Sequence, residues 1–97
     1  MHIIKKKTLS DYWEKHEDVK YSLQSWYAEA KDASWKSSDE IVRRYSYADP
    51  VGDNRVVFNI KGNNYRLVVK IHYNTGIVYI RFIGTHAEYD KINAEKI

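Results

Sequence analysis

The chain has 97 residues, a net charge of +3 and no cysteine; it reads as one small domain spanning residues 1–97, without disulfide staples or thiolate metal centres. Hydrophobic residues make up 43% and charged residues 30%, a globular rather than a disordered balance. Apolar runs fall far short of the roughly 20 residues that cross a bilayer. No apolar segment follows the basic Met1–Lys7 stretch, so a signal peptide and a membrane partner are not expected, and the missing cysteines point to a reducing, cytoplasmic setting.

In chain order, His2–Lys5 predicts a short strand. Thr8 is a candidate N-cap with Asp11 at the capping-box position, opening a helix over Leu9–His16. Asp18 is a candidate cap for a second helix. There Val19, Leu23, Trp26, Tyr27 and Ala30 recur at helical spacing and form a core-facing stripe. Ser37 with Glu40 repeats the cap pattern before a third helical piece, Asp39–Tyr45. Ser46–Asn54 holds the only proline, Pro50, with Gly52, and predicts a loop.

Beyond that loop the period falls to two. Val56, Phe58 and Ile60 share one side of a strand over Arg55–Ile60. Tyr65, Leu67, Val69 and Ile71 share one side of Tyr65–His72. Val78, Ile80 and Phe82 share one side of Ile77–Thr85. Turns at Gly62-Asn63-Asn64 and Asn74-Thr75-Gly76 join them into an antiparallel meander. His86–Lys91 can close as a helical turn.

Charge is distributed unevenly. Met1–Asn54 carries 9 Lys/Arg and 10 Asp/Glu, whereas Arg55–Ile97 carries 7 and 3. Arg55, Lys61, Arg66, Lys70 and Arg81 lie in a stretch with no acid before Glu88. The second face of the meander gathers Arg55, Val57, Asn59 and Lys61 with Arg66, Val68, Lys70 and His72. The third strand adds Ile77, Tyr79, Arg81, Ile83 and Thr85. One reading is a solvated polar face, but an ordinary wet face interleaves both signs of charge; this one suits nucleic-acid phosphates and stacked bases.

The next segment, Thr85-His86-Ala87-Glu88-Tyr89-Asp90, carries a second concentration of chemistry. On a helical turn His86 neighbours Tyr89 and Asp90, and a histidine can move protons near neutral pH. The same residues also spell a capping box, Thr85 with Glu88, with Tyr89 packed on the core, and local spacing favours that structural reading. No second histidine falls in register and the surroundings are positive, so no metal site is expected. No phosphate loop or nucleophile elbow occurs.

Val57-Phe58-Asn59-Ile60-Lys61-Gly62-Asn63-Asn64-Tyr65-Arg66-Leu67-Val68, then Tyr79-Ile80-Arg81, then Thr85-His86-Ala87-Glu88-Tyr89-Asp90 resembles the HigB-type toxins of the RelE-like superfamily. The resemblance implies an α+β fold, with an N-terminal strand and helices on one face of a twisted antiparallel sheet and a short C-terminal helix. It implies a type II toxin that cuts mRNA, usually on the ribosome; with no ligand cluster and a cationic face, no metal or other cofactor is expected. A cognate HigA-type helix-turn-helix antitoxin would be its partner. Carried over, Arg66, Arg81, His86 and Tyr89 are the candidate catalytic residues, and Asn59 and Asn63 match the family's two asparagines as RNA contacts; Lys61 and Lys70, cations of the same strands, are candidates to hold backbone phosphate. A non-catalytic RNA- or DNA-binding module on the same face is the alternative.

Overall fold

A computed structural model describes residues 1–97. Strand β1 (His2–Ile4) leads into helices α1 (Lys6–Lys15), α2 (Glu17–Asp32) and α3 (Ser38–Arg44). Strands β2 (Ala48–Gly52), β3 (Arg55–Ile60), β4 (Tyr65–His72) and β5 (Ile77–Thr85) follow, then helix α4 (His86–Tyr89). The five strands form one sheet in the order β1-β5-β4-β3-β2. Only the β1–β5 pair is parallel; the other pairs are antiparallel. The α+β architecture is the expected one.

The expected apolar stripe of α2 builds the core. Val19, Leu23, Trp26 and Ala30 are buried against the sheet, with Leu9 and Trp13 from α1 beside them. Val56, Phe58, Leu67, Val69, Ile71 and Val78 meet them from the strands. Truncating such a fully buried residue, Leu67 to alanine for instance, costs about 2–5 kcal/mol. Glu17 and Asp18 sit in the first turn of α2 and Lys31 in its last, each favourable to the helix dipole.

The helix starts differ from expectation. α1 begins at Lys6, so Thr8 lies inside it and caps nothing; Asp11 pairs with Lys7 at 3.0 Å instead. Asp18 is not a cap either. Its carboxylate accepts the Tyr65 hydroxyl at 2.6 Å and lies 3.5 Å from Lys61 Nζ, fastening α2 to the end of β4. At α3, Ser37 makes no side-chain cap bond, and Glu40 accepts the Lys36 N–H at 3.0 Å.

The expected loop over Ser46–Asn54 is in large part a strand. β2 pairs with β3 as far as Gly52↔Arg55. Pro50 is tolerated because β2 is a sheet edge, where its missing N–H leaves no central ladder bond unmade. Asp53 and Asn54 both have positive φ, 49° and 63°, the condition for a tight two-residue hairpin turn.

β5 departs from simple alternation. Val68 pairs with Phe82, but Val69 pairs with Ile80, so Arg81 is an extra residue in a bulge. Phe82 therefore faces away from the helices, against Val57 and Val68, not into the core as its spacing predicts. Ile83 is returned to the helical side.

The second sheet face is not simply wet. Beyond α4 the chain lies back across it, placing Ala94 on Val57 and Val68, with Val51, Phe82, Tyr89, Ile92 and Ile97 around them. Arg55, expected among the free cations of that face, is buried. Its Nε donates to the Ile97 carbonyl at 2.6 Å, and Nη1 pairs with Asp53 at 2.8 Å.

Candidate active site and RNA face

Arg66 is on β4, with neighbours on both sides in the sheet. Tyr65 and Leu67 are buried in the core, so alternation turns Arg66 to the opposite face. No carboxylate pairs with it. Its Nη1 donates to the Asn63 carbonyl at 2.9 Å. The guanidinium stands 5.9 Å from the Tyr89 ring centre, within cation–π range.

Arg66 is paired with Asn59 on β3 and Gly84 on β5. A Cβ on Gly84 would lie 2.6 Å from Phe82 Cζ and 3.0 Å from Glu88 Oε1. A side chain there would have to displace the Phe82 ring or the Glu88 carboxylate. Sequence reasoning passed over this residue, although a glycine inside a strand is the usual sign of a bulge or a close approach.

The expected capping box is present. Thr85 Oγ1 accepts the Glu88 N–H at 3.2 Å, and Glu88 Oε1 accepts the Thr85 N–H at 2.8 Å. That backbone hydrogen bond, chiefly, holds the Glu88 carboxyl below its ordinary pKa. The box does not exclude a functional role for its neighbours. The His86 N–H donates to the Asn64 carbonyl at 3.1 Å, and His86 Nδ1 lies 3.2 Å from Asp90 Oδ2. One turn, Asn63-Asn64, therefore anchors both the Arg66 guanidinium and the His86 backbone. Tyr89 packs on Phe82 and the outer apolar cluster, not on the helix-side core.

Four of the expected site residues, Arg66, His86, Tyr89 and Asn63, are thus gathered at one end of the face, with Asn59 alongside. Lys61 is not with them. It leaves β3 with φ of 53° and turns its Nζ to Asp18 on α2. Lys70 lies four residues from Arg66 on β4, about 13 Å away at the rise of a strand. It groups there with His72, Tyr79, Arg81 and Arg55 around a pocket of about 220 Å³. Arg81 is therefore placed with Lys70 rather than with Arg66.

The grouped arginine, histidine and tyrosine can stabilise negative charge and move a proton, the two needs of RNA strand cleavage. No group of three or more His, Asp or Glu side chains is placed to hold a metal ion. No helix is long and apolar enough to cross a membrane.

This fold, with such a group on the sheet face away from the helices, is that of a RelE-like toxin. Within that class the chain belongs to the HigB toxin family, described as the RelE-like toxic component of a toxin–antitoxin system, which it matches over residues 19–92. It is 30% identical over 96 residues to the mRNA interferase toxin HigB of Escherichia coli strain K12, covering 97% of this chain and 92% of that protein. The mRNA interferase HigB of Shigella flexneri gives the same values. That of Escherichia coli O6:H1 is 27% identical over 94 residues, covering 95% and 91%. As the toxic component of such a system, the chain has a cognate antitoxin.

Proposed function

We propose that this chain is a type II toxin that inhibits translation by cutting mRNA held on the ribosome, with no metal ion in the reaction. The observation that carries this reading is the Arg66 guanidinium, free of any acid, facing Tyr89 and tied to the same turn as His86. The ribose 2′-oxygen attacks the adjacent phosphorus and loses its proton. The bond to the 5′-oxygen breaks, leaving a 2′,3′-cyclic phosphate on one fragment and a 5′-hydroxyl on the other. Arg66 stabilises the charge that builds on the non-bridging oxygens. His86, steadied by Asp90, handles a proton at the attacking or departing oxygen. Tyr89 offers its ring as a base platform beside the arginine. A ribosome that bends the mRNA into line would supply much of the orientation, which fits a site with so few acid–base groups.

The reading includes a cytoplasmic site of action and a HigA-type helix-turn-helix antitoxin. Primer-extension mapping of cellular mRNA ends after induction of the chain, repeated with His86→Ala, tests it. New ends that appear with the parent and vanish with the variant support it. Growth arrest without new ends would favour a binding module that blocks translation without cutting. Purified active protein should carry no stoichiometric metal by mass spectrometry; a tightly held metal whose removal abolishes cutting would overturn the metal-free chemistry.

A further inference from the structure

The pocket formed by Lys70, His72, Tyr79 and Arg81 lies outside the group assigned to cleavage. Lys70 and Tyr79 are direct partners across β4 and β5, as are Lys70 and Arg55 across β4 and β3. Neither Lys70 nor Arg81 has a carboxylate partner. Arg55 lines the floor, its own charge already answered by Asp53. His72 meets Tyr79 edge-on at 5.2 Å between ring centres. The bulge is what brings Arg81 here: as the unpaired extra residue of β5 it is exposed and also borders α1 near Tyr12.

Two unpaired cations beside a half-buried phenol make a cradle for a phosphate with an adjoining ring. The pocket shares β4 with Arg66, and the apolar patch of Val57, Val68, Phe82 and Ala94 lies between the two. We infer that this pocket is a second RNA site, which holds a backbone phosphate through Lys70 and Arg81 a few nucleotides away from the bond being cut, and in which Arg81 anchors rather than catalyses. The inference rests on RNA being the substrate. A strand joining the two sites would pass over the segment beyond α4 that lies across this patch. An acidic peptide would suit the same cations, but the ring pair beside them favours a nucleotide, whose base can stack.

The test uses the full chain and a fluorescent single-stranded RNA whose 2′-oxygens are methylated, so that it binds without being cut. Anisotropy is followed across salt concentrations for the parent chain and for the Lys70→Gln/Arg81→Gln double variant. The double variant should bind at least tenfold more weakly at low salt. Its plot of log affinity against log salt should be shallower by about 0.7, the value for one phosphate of a single strand that is no longer neutralised. The single Lys70→Gln variant leaves the bulge untouched and should show about half that change in slope.

The same titration on vacant ribosomes separates the sources of the phosphate. Weakened binding to the free RNA supports a site for the strand being cut, whereas weakened binding to ribosomes alone would move the contact to ribosomal RNA and overturn that placement. Equal affinity and equal slope in parent and double variant on both targets would overturn the second site while leaving cleavage at Arg66 standing. So would a weakening confined to antitoxin binding. A parent chain that binds neither target would remove the RNA reading itself, and this inference with it.

Discussion

The guanidinium of Arg66 and the ring of Tyr89 face one another at 5.9 Å, although the two residues come from different elements separated by the whole of β5. The contact joins a central strand to a helix of a single turn. It gives the face a cation backed by an aromatic surface and no acid to quench it. Arg66→Ala should leave the fold nearly intact, since exposed-face truncations typically cost under about 1 kcal/mol. It should lower cleavage by roughly two to three orders of magnitude, the usual loss for one transition-state donor. Arg66→Lys should recover only part, because a point charge lacks the fork. Cleavage rates measured beside thermal melts separate the two effects; full toxicity of Arg66→Ala at equal expression would move the active site elsewhere.

His86 and Asp90 are one turn apart, with 3.2 Å between Nδ1 and Oδ2. If His86 transfers a proton, His86→Ala should lower the cleavage rate by roughly two to four orders of magnitude, the usual contribution of a positioned proton-transfer group. Asp90→Asn should lower it less, without abolishing cleavage. A His86→Ala protein with the parent's rate would leave proton transfer to another group.

Asp18 and Tyr65 give a pH-dependent brace on the far side of the sheet. The Tyr65 hydroxyl, first, and then Lys61 hold the Asp18 carboxyl below its ordinary pKa, and the same bond raises the Tyr65 phenol. A carboxyl depressed on folding adds stability above its unfolded pKa, near 3.9, and loses it as pH falls through the lower folded value. Asp18→Asn should therefore reduce the urea midpoint at pH 7, and the gap from the parent should shrink as the buffer is taken below about pH 4. A gap that stays constant in acid would show that the ionised carboxylate is not what stabilises.

Arg55 should behave as a structural residue despite its place in the basic stretch. Arg55→Ala removes the bonds to Ile97 and Asp53 and should cost about 1.5–3 kcal/mol, as charged hydrogen bonds do. Hydrogen exchange at 92–97 should quicken. Unchanged exchange there would mean that Ala94 and its apolar neighbours hold the segment alone.

The parts of this fold legible in the sequence are those with one dry and one wet face. The α2 stripe and the inward positions of β3 and β4 follow directly from period, and so does the outward aim of Arg66. β2 was illegible because Ala-Asp-Pro-Val-Gly has no alternation of its own; it is a strand only through pairing with β3. The bulge was hidden for a different reason. Phe82 and Ile83 are both apolar, so β5 reads equally well with either one inward, and Gly84 was the sole local hint. The division of the cations followed from these blind spots. Lys61 left the face through a positive-φ turn, Arg55 was claimed by Asp53 and the chain's last residues, and Arg81 was carried to the Lys70 pocket.

The bulge makes everything downstream of it a matter of counting. Strand residues change sides at every step, so the one extra residue at Arg81 sets the phase in which Gly84, Thr85 and then α4 leave the sheet. Keeping Arg81 but drawing it into the ladder would drive Phe82 into the helix-packed core, turn Ile83 outward and deliver His86 and Tyr89 out of phase with Arg66. A variant lacking only Arg81 would instead heal the bulge, with Ile80 opposite Val69 followed directly by Phe82 opposite Val68, Ile83 opposite Leu67 and Gly84 opposite Arg66. In this chain the active arrangement is thus set by how β5 accommodates its extra residue as much as by the identities of the residues at its end, and a relative with one residue fewer at that point can place the same side chains with no bulge at all.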